Sequence, residues 1–246
     1  MERKTVKLLG INIDTFGFED AVEYTADLIK TQKGGQIVTI NPEMIETALK
    51  SPYFEKILNN ADLVIPDGVG VKIGLNIKGF NLKRIAGIEF STKLLEECSK
   101  NHFSIALIGA KSHVLKKAVQ ILKSEFKELN IVYTQDGYFN DTERVLTELK
   151  EKSPQFVLVA LGSPKQEEFI FEARKILPQA LMIGVGGSFD VWSGEVQRAP
   201  EIYQKLGLEW LYRTTKEPWR LKRIFPTLPK FFLRVLLSRE NVKRER

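Results

Sequence analysis

Short β-branched runs alternate with amphipathic stretches through most of the first 194 residues, and few folds accommodate that alternation. The runs fall at Val6–Ile11, Gln36–Ile40, Leu63–Ile65, Ser104–Ile108, Ile131–Thr134, Phe156–Leu161 and Leu181–Val185. Between them, apolar residues recur at helical spacing near Phe18–Thr31, Pro42–Asn59, Gly87–Ser99, Ser112–Leu129, Asp141–Lys152 and Pro164–Leu177. Strands and helices in strict alternation predict right-handed βαβ units. The expected fold class is therefore α/β: a Rossmann-like, mainly parallel sheet with helices on both faces. After about Gly194 the strand signals stop, so residues 1–194 read as the body and 195–246 as a helical C-terminal appendage.

Open α/β sheets bind ligands outside the carboxyl ends of their strands, which directs attention to the residues just beyond each run. Thr39 and Asn41 stand at the end of the second run, Asp67 and Gly68 at the third, and Gly109 and Lys111 at the fourth. Asp136 and Gly137 come after the fifth, and Gly162, Ser163, Lys165 and Gln166 after the sixth. The seventh breaks into Gly184, Gly186 and Gly187, ahead of Ser188, Asp190, Trp192, Ser193, Glu195, Gln197 and Arg198. Glycines there let backbone approach a ligand and offer N–H groups to phosphate oxygens; a tight strand-to-helix turn uses the same residues with no ligand. Six strand ends bearing small or polar residues on one edge point to a site.

Asp67 follows an apolar strand and precedes Gly68 and Gly70, a position at the mouth of a crevice. Apolar walls raise a carboxylate's pKa toward the range of a general base; the alternative role is a cap for a helix starting near Val69. Asp136 and Asp190 suit a turn as well as chemistry. Pro164, Glu167 and Glu168 are explained by a helix N-terminus, whereas Lys165 and Gln166 are expected to point into the crevice, Gln166 toward a sugar or phosphate. Cys98 reads as a buried thiol, and His102 and His113 are isolated. The sequence has no Walker loop, nucleophile elbow, Cys/His cluster or D-x-D triplet. No metal or other cofactor is expected. A leaving diphosphate would then be met by Arg84 from the body and by Arg213, Arg220 and Arg223 from the appendage, whose planar forks bind phosphate oxygens bidentately.

The formal net charge is +6, yet Arg198–Arg246 alone holds 13 Lys or Arg against 5 Asp or Glu. The basicity belongs to the appendage, where Leu221, Ile224, Phe225, Leu228, Phe232, Val235 and Leu236 fall close to helical spacing among the cations. Pro226 and Pro229 are expected to interrupt any long helix there. Basic amphipathic segments with Trp and Phe lie in the membrane interface; a helical pair packed on the body is the other reading. With no signal-type N-terminus, no long apolar run and one cysteine, a cytoplasmic address with peripheral attachment to the membrane is expected.

Taken together, TINPEM (Thr39–Met44), ADLVIPDGVGV (Ala61–Val71), DGYF (Asp136–Phe139), LGSPKQE (Leu161–Glu167), GVGGSFDVWSGEVQRAP (Gly184–Pro200), GLEWLYR (Gly207–Arg213) and EPWRLKR (Glu217–Arg223) resemble the WecG/TagA/CpsF glycosyltransferases. The likeness runs through essentially the whole chain and is strongest to the TagA-type N-acetylmannosaminyltransferases. It implies inverting transfer of N-acetylmannosamine from a UDP donor to undecaprenyl-diphosphate-linked N-acetylglucosamine, the β-1,4 linkage unit of wall teichoic acid, on the inner face of the plasma membrane. It further implies that Asp67 is the base and that Thr39, Asn41 and Gln166 line a pocket; Arg84, Gly109, Asp136, Gly186 and Gly187 are further substrate-binding candidates from the residues themselves. Residues 1–194 would be the catalytic domain, 195–246 a lid or membrane contact, and no metal would be required. Within such a family the alternative is another UDP-sugar donor, of N-acetylmannosaminuronic acid or a hexose, serving a different surface polysaccharide. From other classes, a nucleotide-dependent oxidoreductase lacks the early G-x-G-x-x-G, and a nucleic-acid-binding module would rest on the tail's charge alone; no nucleic acid partner is expected. A homo-oligomer stays open.

Overall fold

Leu9 and Gly10 take successive positive φ values, 48° and 87°, and turn the chain back in a two-residue hairpin. The expected first strand is thereby split into β1 (Thr5–Leu8) and β2 (Ile11–Asp14), which pair only with each other in an antiparallel sheet. Asp14 fastens this hairpin: its buried carboxylate accepts from Arg3 Nε at 2.6 Å and from the Val64 backbone at 2.7 Å. The computed structural model describes residues 3–205, 207–216, 218 and 221–238.

The other six strands are β3 (Gly35–Ile40), β4 (Leu63–Pro66), β5 (Ser104–Gly109), β6 (Asn130–Gln135), β7 (Phe156–Ala160) and β8 (Leu181–Gly184). They form one sheet in the order β4-β3-β8-β7-β5-β6, parallel throughout. This is the Rossmann-like α/β architecture the alternation implied. Side chains alternate between faces as a strand requires: Ile37, Leu63, Ile65, Ile105 and Leu107 enter one core, and Val38, Val64, Ala106 and Ile108 point the other way. The first core is covered by α1 (Phe18–Lys30), α5 (Gly87–Lys100), α6 (Ser112–Glu125) and α9 (Ser188–Trp192). Under the opposite face lie α7 (Thr142–Lys152) and α8 (Lys165–Ile176), and beside them α2 (Pro42–Ala48), α3 (Pro52–Asn59), α4 (Val69–Ile77) and the hairpin. Both faces of every central strand are dry, which is why these runs are continuously apolar.

Two helical expectations change. The pattern over Pro42–Asn59 is two helices, because Ser51 caps a new one through the Phe54 N–H (3.3 Å) with Pro52 in its first turn. Conversely, α12 (Leu221–Leu237) continues through Pro226 and Pro229. Each proline frees the carbonyl four residues earlier; those belong to Lys222 and Phe225, both exposed, where water can satisfy them. Packing of the opposite face holds the helix together. Phe231 and Val235 are fully buried against α2 and α4 in the same core as Leu8 and Val71, and Arg234 reaches the buried Glu46 at 3.2 Å. Gly70 and Gly74 make room: a Cβ at Gly70 would lie 3.5 Å from Leu228, and one at Gly74 would lie 3.1 Å from Phe231. Two short helices, α10 (Glu201–Lys205) and α11 (Glu209–Lys216), connect the body to α12.

Candidate active site

Because all six strands run the same way, their carboxyl ends share one edge, and the end of β4 is the most heavily furnished. Asp67 N–H still bonds the Ile40 carbonyl at 2.9 Å, so the residue leaves the sheet beside β3. Ile85 N–H returns to the Pro66 carbonyl at 3.0 Å, which brings Arg84 alongside although 17 residues separate it from Asp67. At the start of α5, a Cβ on Gly87 would meet Thr39 at 3.1 Å and Asp67 Oδ2 at 3.3 Å. Thr39, Asp67 and Gly87 thus crowd one corner, and a Cβ on Gly68 would lie 3.9 Å from Asn41. Thr39, Asn41, Asp67 and Arg84 are brought together.

Asp67 is not the side-chain cap of α4. Gly68 occupies the cap position, at φ +78°, with no side-chain bond to the helix. One carboxylate oxygen, Oδ1, instead accepts the Gly68 N–H at 2.7 Å and faces Arg84 Nε at 3.4 Å. Burial raises the Asp67 pKa above the ordinary carboxylate range; Arg84 and the Gly68 N–H oppose this, and the nearby charge of Glu209 adds to it. Burial works against the charge on Arg84, but Asp67 and Glu209 outweigh it and hold the guanidinium protonated. An aspartate of raised pKa at this strand end can accept a proton from a bound hydroxyl. Asn41 Oδ1 caps α2 through the Met44 N–H at 3.0 Å, leaving only its NH₂ to donate to a ligand.

The other candidates are placed differently. Gln166 was expected to reach into the crevice; it is 5% exposed, and its amide bridges α8 to the glycine turn. Its Oε1 accepts the Gly186 N–H at 3.1 Å and its Nε2 donates to Glu167 Oε1 at 2.7 Å. The Gly186 N–H that phosphate oxygens were expected to use is therefore occupied. Gly186 has φ +50° and open space beside its Cα, whereas Gly187 has an ordinary φ of −79° as the residue before α9. Gly109 is required by its own backbone: at φ +123°, a Cβ would lie 2.3 Å from the Ala160 carbonyl oxygen. Asp136 Oδ1 closes a turn onto the Tyr138 N–H at 3.0 Å. It lines a groove of about 430 Å³ with Ser112, Lys116, Gln120 and Thr134. That groove is on the edge strand β6, five strands from β4 and so roughly 24 Å from Asp67 at ordinary strand spacing. Arg220 and the side chains of Arg213 and Arg223 lie outside the described residues. Among those described, no group of three or more His, Cys, Asp or Glu is arranged to hold a metal ion. Cys98 is buried, with its pKa pushed up to about 12 by desolvation, and is inert at neutral pH.

Two further carboxylates have places that no motif announces. Glu209, in the first turn of α11, is 6% exposed and receives Arg84 Nη2 at 3.1 Å and Arg198 Nε at 3.5 Å. It stands 125 positions along the chain from Arg84, so no spacing could have announced the pair. Glu167 is 2% exposed against Gly184, where a Cβ would meet its Oε1 at 2.9 Å. Burial is the main reason its pKa rises from 4.5 to about 7, with hydrogen bonds from Gln166 and Ser163 in opposition. Between those values the folded state holds the proton more tightly than the unfolded chain. Stability therefore falls as pH rises from about 4.5 to about 7 and stays low above it, by a difference on the order of 3 kcal/mol. Glu167→Gln is expected to raise the melting temperature at pH 8 and to change it little at pH 5, as differential scanning calorimetry at the two pH values would show.

The sequence profile of the glycosyl transferase WecG/TagA/CpsF family matches residues 6–245. An N-acetylglucosaminyldiphosphoundecaprenol N-acetyl-beta-D-mannosaminyltransferase of Bacillus subtilis (strain 168) is 38% identical over 234 residues, 95% of this chain and 90% of that protein. The like-named protein of Bacillus spizizenii (strain ATCC 23059 / NRRL B-14472 / W23) is 39% identical over 205 residues, 83% of this chain and 79% of its own length. With a parallel sheet that gathers Thr39, Asn41, Asp67 and Arg84 at one corner, and with a match over nearly its whole length, the chain belongs to the WecG/TagA/CpsF glycosyl transferase family.

Proposed function

We propose that this protein is an inverting glycosyltransferase that moves N-acetylmannosamine from a UDP donor to N-acetylglucosamine carried on undecaprenyl diphosphate, forming the linkage unit of a wall teichoic acid. The observation that carries this is the half-buried Asp67 carboxylate, of raised pKa, at the sheet edge of a chain 38% identical over 95% of its length to a transferase of that name. The reaction is a single displacement. Asp67 takes the proton of the acceptor hydroxyl as that oxygen attacks the anomeric carbon, and the C–O bond to UDP breaks on the opposite face. One base and one leaving group suffice, so no second carboxylate acts as nucleophile. The amide NH₂ of Asn41 and the hydroxyl of Thr39 orient the sugar. The diphosphate's developing charge falls to Arg213, Arg220 and Arg223, a role that needs no metal.

The acceptor is a lipid, and α12 fits a bilayer surface. Its outer side exposes Phe225 (74%), Leu233 (57%), Leu236 (64%) and Leu237 (71%), with Lys222 and Lys230 also exposed. Such a helix lies in the interface plane, where each cation contributes about 1 kcal/mol on anionic lipid. Among the described residues no helix is long and apolar enough to cross a membrane; the exposed apolar side of α12 supports peripheral attachment, on the leaflet that presents the acceptor to UDP-sugars. Release of UDP from a panel of UDP-sugars, on neutral and on anionic vesicles carrying lipid-diphosphate-N-acetylglucosamine, tests the reading. Turnover only with UDP-N-acetylmannosamine and acceptor, faster on anionic vesicles and unchanged by EDTA, is expected. Turnover with another sugar would replace the donor, and no acceptor dependence would overturn the function.

A further inference from the structure

Arg84 stands between two carboxylates, and it is nearer the one that does no chemistry. Its Nη2 is 3.1 Å from Glu209, while its Nε is 3.4 Å from Asp67. A relaxed arginine–carboxylate pair closes to about 2.7–2.9 Å and is commonly bidentate; the Arg84–Asp67 contact is neither. Glu209 is itself held from behind. Its other oxygen faces Arg198 Nε at 3.5 Å, and Arg198 is drawn by Nη2 to Glu89 Oε1 at 2.5 Å in the first turn of α5. Among the described residues, charged groups at this corner include Asp67 after β4, Arg84 before α5, Glu89 on α5, and Glu209 on α11 with Arg198 ahead of it.

We propose that Glu209 is a positioning residue: it pulls Arg84 off the catalytic carboxylate, so that docking of the C-terminal helices sets how basic and how free Asp67 is. The inference rests on the reading of Asp67 as the base. A guanidinium closed in bidentate fashion onto Asp67 would take up Oδ2 as well as Oδ1, leaving no oxygen for the acceptor's proton, and would hold the carboxylate ionised but unreactive. Glu209 prevents that closure by competing for the same cation. Arg198 sets the strength of the competition, because it shares Glu209 with Arg84. Removing Glu209 and removing Arg198 should therefore act in opposite directions on Asp67.

The test is the pH dependence of the single-turnover rate with full-length protein, UDP-N-acetylmannosamine and a short-chain lipid-diphosphate-N-acetylglucosamine. Wild type is expected to show an acidic limb that rises as Asp67 loses its proton. In Glu209→Gln the limb should move down by about one pH unit and the plateau fall about tenfold, as expected when an arginine closes on an aspartate and weakens it as a base. In Arg198→Gln the limb should move up instead, and Glu209→Asp should recover part of the plateau. Circular dichroism and melting temperature check that each variant is folded; a merely structural Glu209 would lower the plateau without moving the limb, and that result overturns the proposal. Limbs that move the same way in Glu209→Gln and Arg198→Gln also overturn it. Asp67→Asn separates the two ideas: a wild-type limb that survives in its residual activity refutes the base, whereas a limb that vanishes there but does not move in Glu209→Gln refutes only the role of Glu209.

Discussion

Asp67→Asn is expected to lower the single-turnover rate by about 10²–10⁴-fold, the usual contribution of a general base, while leaving the protein at least as stable as wild type at pH 7. The two halves come from one cause. Asparagine keeps an oxygen for the Gly68 N–H, now at 2.7 Å, and fits the same corner beside Thr39 and Gly87. What it removes is a charge that burial disfavours. Because the folded-state pKa of Asp67 is raised, chiefly by burial, ionisation at neutral pH costs the folded state more than the unfolded one. Stability is therefore highest below the ordinary aspartate pKa and is lost as pH rises through the raised one. Arg84 loses one partner in the variant but keeps Glu209 at 3.1 Å, so no buried cation is stranded. Rate and thermal melting on the same preparation check the pair. A large loss of rate together with a large loss of stability would mean that Asp67 is chiefly a structural anchor.

Phe231→Ala is expected to cost about 3–5 kcal/mol, the range for emptying a buried phenylalanine site, and to release the C-terminal helices from the body. The ring is fully buried between α12 and α4 and makes an edge contact with Phe232, centroids 5.4 Å apart. Little can collapse into the space, because Gly74 opposite has no side chain to move. The consequence for the site is direct. Both helices that receive α12 begin at the candidate site: α4 one residue after Gly68, and α2 at Pro42, next to its cap Asn41. Limited proteolysis should cut the variant between α9 and α12 first, and acceptor-dependent turnover should fall with it. Phe225→Ala is the control, since its ring is 74% exposed; it should leave the melting temperature unchanged. Equal stability of the Phe231 and Phe225 variants would show that α12 is not docked as described.

How legible was the site beforehand? Residues placed by their own strand end were readable, because a parallel sheet sends every carboxyl end to one edge. Thr39, Asn41 and Asp67 belong to this class. Arg84 was singled out as a body cation, but its place beside Asp67 depends on the Ile85–Pro66 hydrogen bond, which no residue pattern announces. Gln166 misled because position on a helix N-terminus says nothing about which way a side chain turns. A Gly184 with no side chain of its own lets the Gln166 amide fold down onto the Gly186 turn. The prolines of α12 misled for a related reason. Local preference ends a helix at Pro226, yet burial of Phe231 and Val235 outweighs two lost hydrogen bonds whose carbonyls face water.

Residue order alone was enough for the class of fold, for the shared edge of the strand ends and for the split between a near-neutral body and a basic tail, since period, chain order and charge are local properties that survive any arrangement in space. Which charges meet was settled by packing in three dimensions. Whether Arg84 serves Asp67 or Glu209 turns on a few tenths of an ångström across segments 125 residues apart. Electrostatic energy in a desolvated corner depends on distance and burial, and neither is written in the order of the residues.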